Sequence, residues 1–193
     1  MRTAAFLALI PTLSCAQVDQ GERNAEFTPG FENQTRAPAL PDTPVTVTTF
    51  ADGLASPWGI AALPDGSFLV TERSGSLRRI ASDGILSDPM SGVPQVDAQQ
   101  QGGLLDVAIA PDFSDTGVLY LTYAKGVDGG TVTAAARAVL QGDTLTQVRD
   151  IFVQDPPADT YAHYGSRVVP TPDGKVFITT GEYFTERNRR LAQ

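Results

Sequence analysis

The sequence predicts an all-β fold, a partial β-propeller of about three N-terminal blades. Three observations predict it. A unit of strand, Pro-Asp turn and strand recurs, centred on Pro64-Asp65, Pro111-Asp112 and Pro172-Asp173. The spacing is roughly that of propeller repeats, about 40–50 residues, with extra length before the third. Gly and Pro are frequent, 18 and 14 of 193 residues, which favours many turns, and no stretch carries a convincing amphipathic-helix period. A β-sandwich with the same turns is the plainer alternative.

Taken in order, the chain opens on a secretory pattern. Arg2 precedes an apolar run, Ala4–Leu13, and Ser14-Cys15-Ala16 offers small residues for cleavage. The run is too short to span a membrane. Residues 1–16 are therefore read as a signal peptide. Leu13-Ser14-Cys15 also resembles a lipoprotein box, with Thr12 where an aliphatic residue is preferred, so a lipid anchor through Cys15 is the alternative to simple cleavage. The expected location is outside the cytoplasm, in a periplasm. Cys15 is the only cysteine, which rules out an intrachain disulfide. Residues 17–44 are polar and become Pro-rich, as a flexible arm or linker does.

Residues 45–193 carry the propeller pattern. Val45–Phe50 is β-branched and reads as a strand, and Trp58–Arg73 is the first full unit. Leu105–Phe113 followed by Val118–Tyr123 is the second, and Arg167–Thr180 is the third. Pro presets the first corner of each turn, Asp bonds the backbone ahead, and Gly accepts a left-handed conformation. Each unit ends in Thr followed by a polar or aromatic residue. Further strands are expected at Leu77–Ile80, Ala134–Leu140 and Arg149–Val153. Three blades in the open would leave bare strand edges, so the sequence reads as the N-terminal half of a larger propeller.

Chemistry has few candidates. His163 is the only histidine, hence the only imidazole for proton transfer near neutrality. Read from the loop alone, it serves either as a hydrogen-bonded structural residue or as a base. Gly165 and Ser166 beside it are small, and Asp155 and Asp159 in the preceding loop are either solvated charges or orienters of the ring. Gln101, after two further glutamines and before Gly102-Gly103, places an amide at a strand entrance, either as a polar connector or as a contact for a ligand. A net charge of −8 without a basic stripe argues against nucleic acid as a partner. No Walker pattern, EF-hand series or Gly-x-Ser-x-Gly elbow is present, and one His without a paired Cys makes no metal site in this chain.

Four pieces in order carry a resemblance: Ser56-Pro57-Trp58-Gly59-Ile60 with Pro64-Asp65-Gly66; Gln101-Gly102-Gly103-Leu104-Leu105-Asp106 with Pro111-Asp112; His163-Tyr164-Gly165-Ser166-Arg167 with Asp173-Gly174 and Thr180-Gly181-Glu182; and Arg187–Gln193. Together they resemble the soluble quinoprotein aldose sugar dehydrogenases of the glucose/sorbosone dehydrogenase family. The resemblance implies a six-bladed propeller holding pyrroloquinoline quinone (PQQ), with calcium beside it. It implies an aldose substrate and an external electron acceptor. It makes His163 the general base and Gln101 a residue contacting cofactor or substrate. Ala162 departs from members that carry a polar residue there, which leaves sugar preference open. The family's cationic clamps and calcium ligands would lie beyond residue 193, so this chain alone is expected to show no turnover. The rival readings are a non-catalytic propeller that binds protein or glycan, and a metal-dependent lactonase-type propeller.

Overall fold

A computed structural model describes residues 44–190. The signal segment, Cys15 and nearly all of the arm lie outside the described residues, as do residues 191–193. Of a first unit, Met1–Thr48, only residues 44–48 are described; they are exposed and have no regular secondary structure. The strand expected at Val45–Phe50 is therefore not formed: its β-branched residues suit an extended chain, but among the described residues no strand pairs with it.

Among the described residues, the unit beginning at Thr49 carries every strand. Three antiparallel sheets follow one another along the chain. The first is β1 (Pro57–Ala62), β2 (Phe68–Glu72) and β3 (Ser76–Ile80). The second is β4 (Leu104–Ile109), β5 (Val118–Val127), β6 (Gly130–Gln141) and β7 (Thr144–Val153). The third is the hairpin β8 (Gly165–Pro170) and β9 (Val176–Thr180). Only two four-residue helices are present among the described residues, α1 (Phe113–Thr116) and α2 (Glu186–Arg189). The Ala134–Leu140 run lies wholly in β6, where its small side chains pack flat against neighbouring strands; Ala134, Ala135, Ala136 and Ala138 are fully buried.

The turns form for the reasons the sequence gives, with one exception. In the first unit Leu63 N–H donates to Ser67 O at 2.8 Å, and Asp65 Oδ1 accepts from Ser67 N–H at 2.9 Å. In the third, Thr171 N–H donates to Lys175 O at 2.8 Å. After Pro111-Asp112 the chain instead makes the single turn α1, closed by Gly117 at φ 65°. Four extra residues are accommodated there without disturbing the strands on either side.

A repeated detail joins the sheets. Each first strand bulges near its start, between Pro57 and Ile60, Leu104 and Val107, and Gly165 and Val168. A bulge leaves an amide without its ladder partner. In each sheet a threonine opposite the bulge takes that amide: Gly59 N–H donates to Thr71 Oγ1 at 2.8 Å, Asp106 N–H to Thr122 Oγ1 at 3.0 Å, and Arg167 N–H to Thr179 Oγ1 at 2.8 Å. The same hydroxyl then donates onward to the next sheet, Thr71 to Leu105 O at 2.5 Å and Thr122 to Ser166 O at 2.6 Å. Thr71 and Thr122 are wholly buried, whereas Thr179 is exposed. The recurring terminal Thr of the sequence units is this latch.

Two apolar clusters fill the space between sheets. Leu69, Leu77, Leu104, Leu119 and Leu121, all fully buried, anchor the larger one between the first and second sheets. Leu105, Ala124, Ala158, Tyr164 and Tyr183 form a smaller one beneath the His163 loop, with Trp58 against it. The chain folds as consecutive blades of a β-propeller.

Candidate functional site

The first strand of every sheet runs from a common end. Trp58 lies at the start of β1, Gln101 just before β4 and His163 just before β8, while the Pro-Asp turns lie at the opposite ends. Stacking the sheets in phase therefore gathers the three strand entrances. They surround a cleft of about 310 Å³ lined by Trp58, Arg73, Gln101, Leu105, His163, Tyr164 and Gly165. The two residues singled out in the sequence, 62 positions apart, are in direct contact: His163 N–H donates to Gln101 Oε1 at 2.9 Å. Gln101 N–H in turn donates to Tyr161 O at 3.0 Å.

His163 has a left-handed backbone, φ 54°, a conformation uncommon outside glycine, although histidine takes it more readily than most. Its support is local and buried. Tyr164 O accepts from Thr133 Oγ1 at 2.8 Å and from Gly181 N–H at 3.0 Å, and the Tyr164 hydroxyl donates to Thr131 Oγ1 at 3.1 Å. Its ring meets Tyr183 edge-on, with centroids 5.3 Å apart. The Tyr183 hydroxyl accepts from Thr133 N–H and donates to Gln154 Oε1 at 2.7 Å. Burial pushes both phenols up from the ordinary tyrosine value, so they remain protonated donors. Gly181 is required by close approach: a Cβ there would lie 1.6 Å from His163 O.

The ring of His163 is oriented by a residue the sequence reading did not assign. Nδ1 lies 2.6 Å from Glu182 Oε1. That hydrogen bond holds the Glu182 carboxyl below its ordinary value, with Arg189, 3.8 Å away, acting in the same direction. An ionised carboxylate only accepts, so Nδ1 carries the proton, and in the neutral ring the lone pair is then on Nε2. Phe184 meets the ring edge-on at 5.0 Å. Asp155 and Asp159 make no bond to the imidazole; Asp155 lines a separate hollow of about 570 Å³ with Gln154, Glu182 and Arg189. Ser166 does not face the cleft either: it is fully buried and its hydroxyl turns back to Tyr164 O.

Charge enters from two arginines. Arg167 pairs with the buried Asp106 at 2.9 Å and lies over the Trp58 ring, 4.7 Å from its centroid. Asp106 also accepts from Val168 N–H at 3.0 Å, tying β4 to β8. Arg73 reaches the loop that carries Gln101. Among the described residues no three His, Cys, Asp or Glu side chains cluster as a metal site, and no helix is long and apolar enough to cross a membrane.

Comparison with known proteins agrees with this geometry. Residues 54–193 match the family model described as Glucose / Sorbosone dehydrogenase. Aldose sugar dehydrogenase YliI of Escherichia coli K12 is 43% identical over 148 residues, covering 75% of this chain and 40% of that protein. The crystal structure of the soluble aldose sugar dehydrogenase from Escherichia coli in the apo-form superposes with a TM-score of 0.66 at 40% identity, covering 72% and 41% of the two chains. The PQQ-bound form of aldose sugar dehydrogenase from Streptomyces coelicolor superposes at 0.62 with 28% identity, covering 72% and 42%. The chain thus spans about two fifths of the length of the relatives it matches. It belongs to the glucose/sorbosone dehydrogenase family.

Proposed function

We propose that this chain supplies the proton-accepting part of a PQQ-dependent sugar dehydrogenase that oxidises an aldose at its anomeric carbon. The observation that carries the reading is the imidazole of His163, which lines the cleft with Nδ1 held by Glu182, so that in the neutral ring Nε2 is the acceptor. Nε2 takes the proton of the anomeric hydroxyl as the C–H bond of the same carbon gives up hydride, leaving a lactone. No amino-acid side chain accepts hydride, and PQQ supplies that acceptor carbonyl when bound. The cleft lining fits such a group: Trp58 offers a flat aromatic surface and the Gln101 amide nitrogen a donor for carbonyl or carboxylate oxygens. Calcium beside the quinone and an external electron acceptor belong to the same reading. The described residues form no ligand cluster for calcium. Export, with cleavage or acylation near Cys15, rests on the N-terminal sequence.

The test is aldose-driven reduction of a dye by the intact protein after addition of PQQ and calcium. His163→Ala is expected to lose roughly 10²–10⁴-fold in kcat. A loss smaller than about tenfold would remove His163 from the role.

A further inference from the structure

Gln101 is flanked by two carbonyls that share one partner. Arg73 Nε donates to Gly102 O at 3.1 Å, and Arg73 Nη2 donates to Gln100 O. The main chain of Arg73 is fixed as well: its N–H donates to Ser56 O at 3.1 Å, and its carbonyl accepts from Leu104 N–H at 3.2 Å. Gly103 is pressed against that carbonyl, where a Cβ would lie 1.9 Å from it at φ 121°. Gln100 is itself left-handed, at φ 46°. The loop on which Gln101 stands is therefore gripped on both sides of one residue by a single planar fork, a geometry an ammonium cannot reproduce.

We propose that Arg73 is a positioning residue: its guanidinium clamps the carbonyls on either side of Gln101, and Gln101 in turn sets the left-handed main chain at His163. The chain of contacts runs from Arg73 through Gln100 and Gly102 to Gln101 Oε1 and then to the amide of His163. Arg73 touches neither His163 nor Glu182 by any hydrogen bond or ion pair among the described residues. Its influence on the base is carried by backbone geometry. The catalytic meaning of the clamp rests on the dehydrogenase reading, but the mechanical coupling does not.

The sole histidine makes the coupling measurable without any turnover. Labelling with ¹⁵N-histidine gives a single backbone amide, that of His163, whose hydrogen exchange is read by NMR in the cofactor-free chain. Arg73→Met is expected to speed that exchange about tenfold or more. Gln101→Ala should do the same, and the double variant should exchange no faster than Gln101→Ala alone, within about twofold. Arg78→Met, which removes a similar grip on Ser87 O away from the cleft, should leave the His163 amide unchanged. The proposal is overturned by a folded Arg73→Met with His163 exchange within about twofold of the parent, or by single effects that multiply in the double variant. Should Arg73→Met not fold, Arg73→Lys decides: faster exchange supports a two-point clamp, and parental exchange rejects it. Loss of activity in His163→Ala and the exchange result are independent, so failure of one reading is distinguishable from failure of the other.

Discussion

Glu182 Oε1 stands 2.6 Å from His163 Nδ1, and this contact decides which imidazole nitrogen carries the proton in the neutral ring. Glu182→Gln preserves the size of the partner but can present an amide donor to Nδ1, which favours the tautomer with the proton on Nε2. A base protonated at its working nitrogen does not accept. The expected outcome in the intact, PQQ-loaded protein is a kcat fall of about 10²–10⁴-fold, the contribution of a positioned general base. Steady-state kinetics with an aldose measures it. Retention of more than about a tenth of the activity would disconnect the pair from catalysis.

The same pair fixes a pH dependence. The folded Glu182 carboxyl lies below its ordinary value of 4.5, because the imidazole hydrogen bond favours the ionised form. Whatever stability the pair contributes is therefore fully present above that value and disappears as pH falls through the lower folded one. Titrating the imidazole resonances of the sole histidine downward from pH 5 should show a step below about pH 4.5 as the carboxylate is protonated. Glu182→Gln should abolish the step and leave other titrations in place.

The threonine latches make a graded prediction. Thr71→Val removes the acceptor for Gly59 N–H and the donor to Leu105 O in a wholly buried place. Two polar groups then lose their partner, and denaturant unfolding should show a loss of about 2–4 kcal/mol. Thr179→Val removes the matching bond to Arg167 N–H on an exposed strand, where water replaces it. That variant should lose no more than about 0.5 kcal/mol. Equal losses at the two positions would show that the latch acts locally and does not join the sheets.

Glycine positions separate close approach from conformational preference. A Cβ at position 181 would lie 1.6 Å from His163 O, so Gly181→Ala must displace the His163 loop. Gly129, at the tip of the β5–β6 hairpin, has φ 88° and open space around it. There the cost of alanine is the left-handed backbone alone, about 1–2 kcal/mol. Gly181→Ala should shift the His163 imidazole resonances and depress activity at least tenfold, while Gly129→Ala lowers stability without moving those resonances.

Much of this was legible in residue types, and the remainder depended on register. The Pro64-Asp65 and Pro172-Asp173 turns and the terminal Thr of each unit stand out because their chemistry is local. The expected turn at Pro111 became α1 since Phe113–Thr116 can close a helical turn before Gly117, and a dipeptide does not distinguish the two. Val45–Phe50 has strand composition but no strand beside it among the described residues, and pairing is a tertiary matter. His163 and Gln101 were visible as rare or exposed chemistry, yet their contact requires the second and third sheets to stack in phase. Glu182 was overlooked in favour of Asp155 and Asp159, which are nearer in sequence. The hairpin register offered the signal: Gly165 pairs with Thr180, and continuing two residues outward on both strands sets Glu182 opposite His163.

The latches also divide the molecule into a part that holds length and a part that absorbs it. The bulge amide and its threonine are 12 residues apart in the first and third sheets and 16 apart in the second. The difference is taken up around α1, at the end remote from the cleft, and Asp106 still meets Thr122 as Gly59 meets Thr71. Insertions are thus tolerated at the turn end because the ruler is read from the other end. A loop grafted at Gly66 or Gly174 should leave the cleft at its present dimensions. One residue added between Phe68 and Thr71 would turn the latch to the wrong face and shift Leu105, and with it one wall of the cleft.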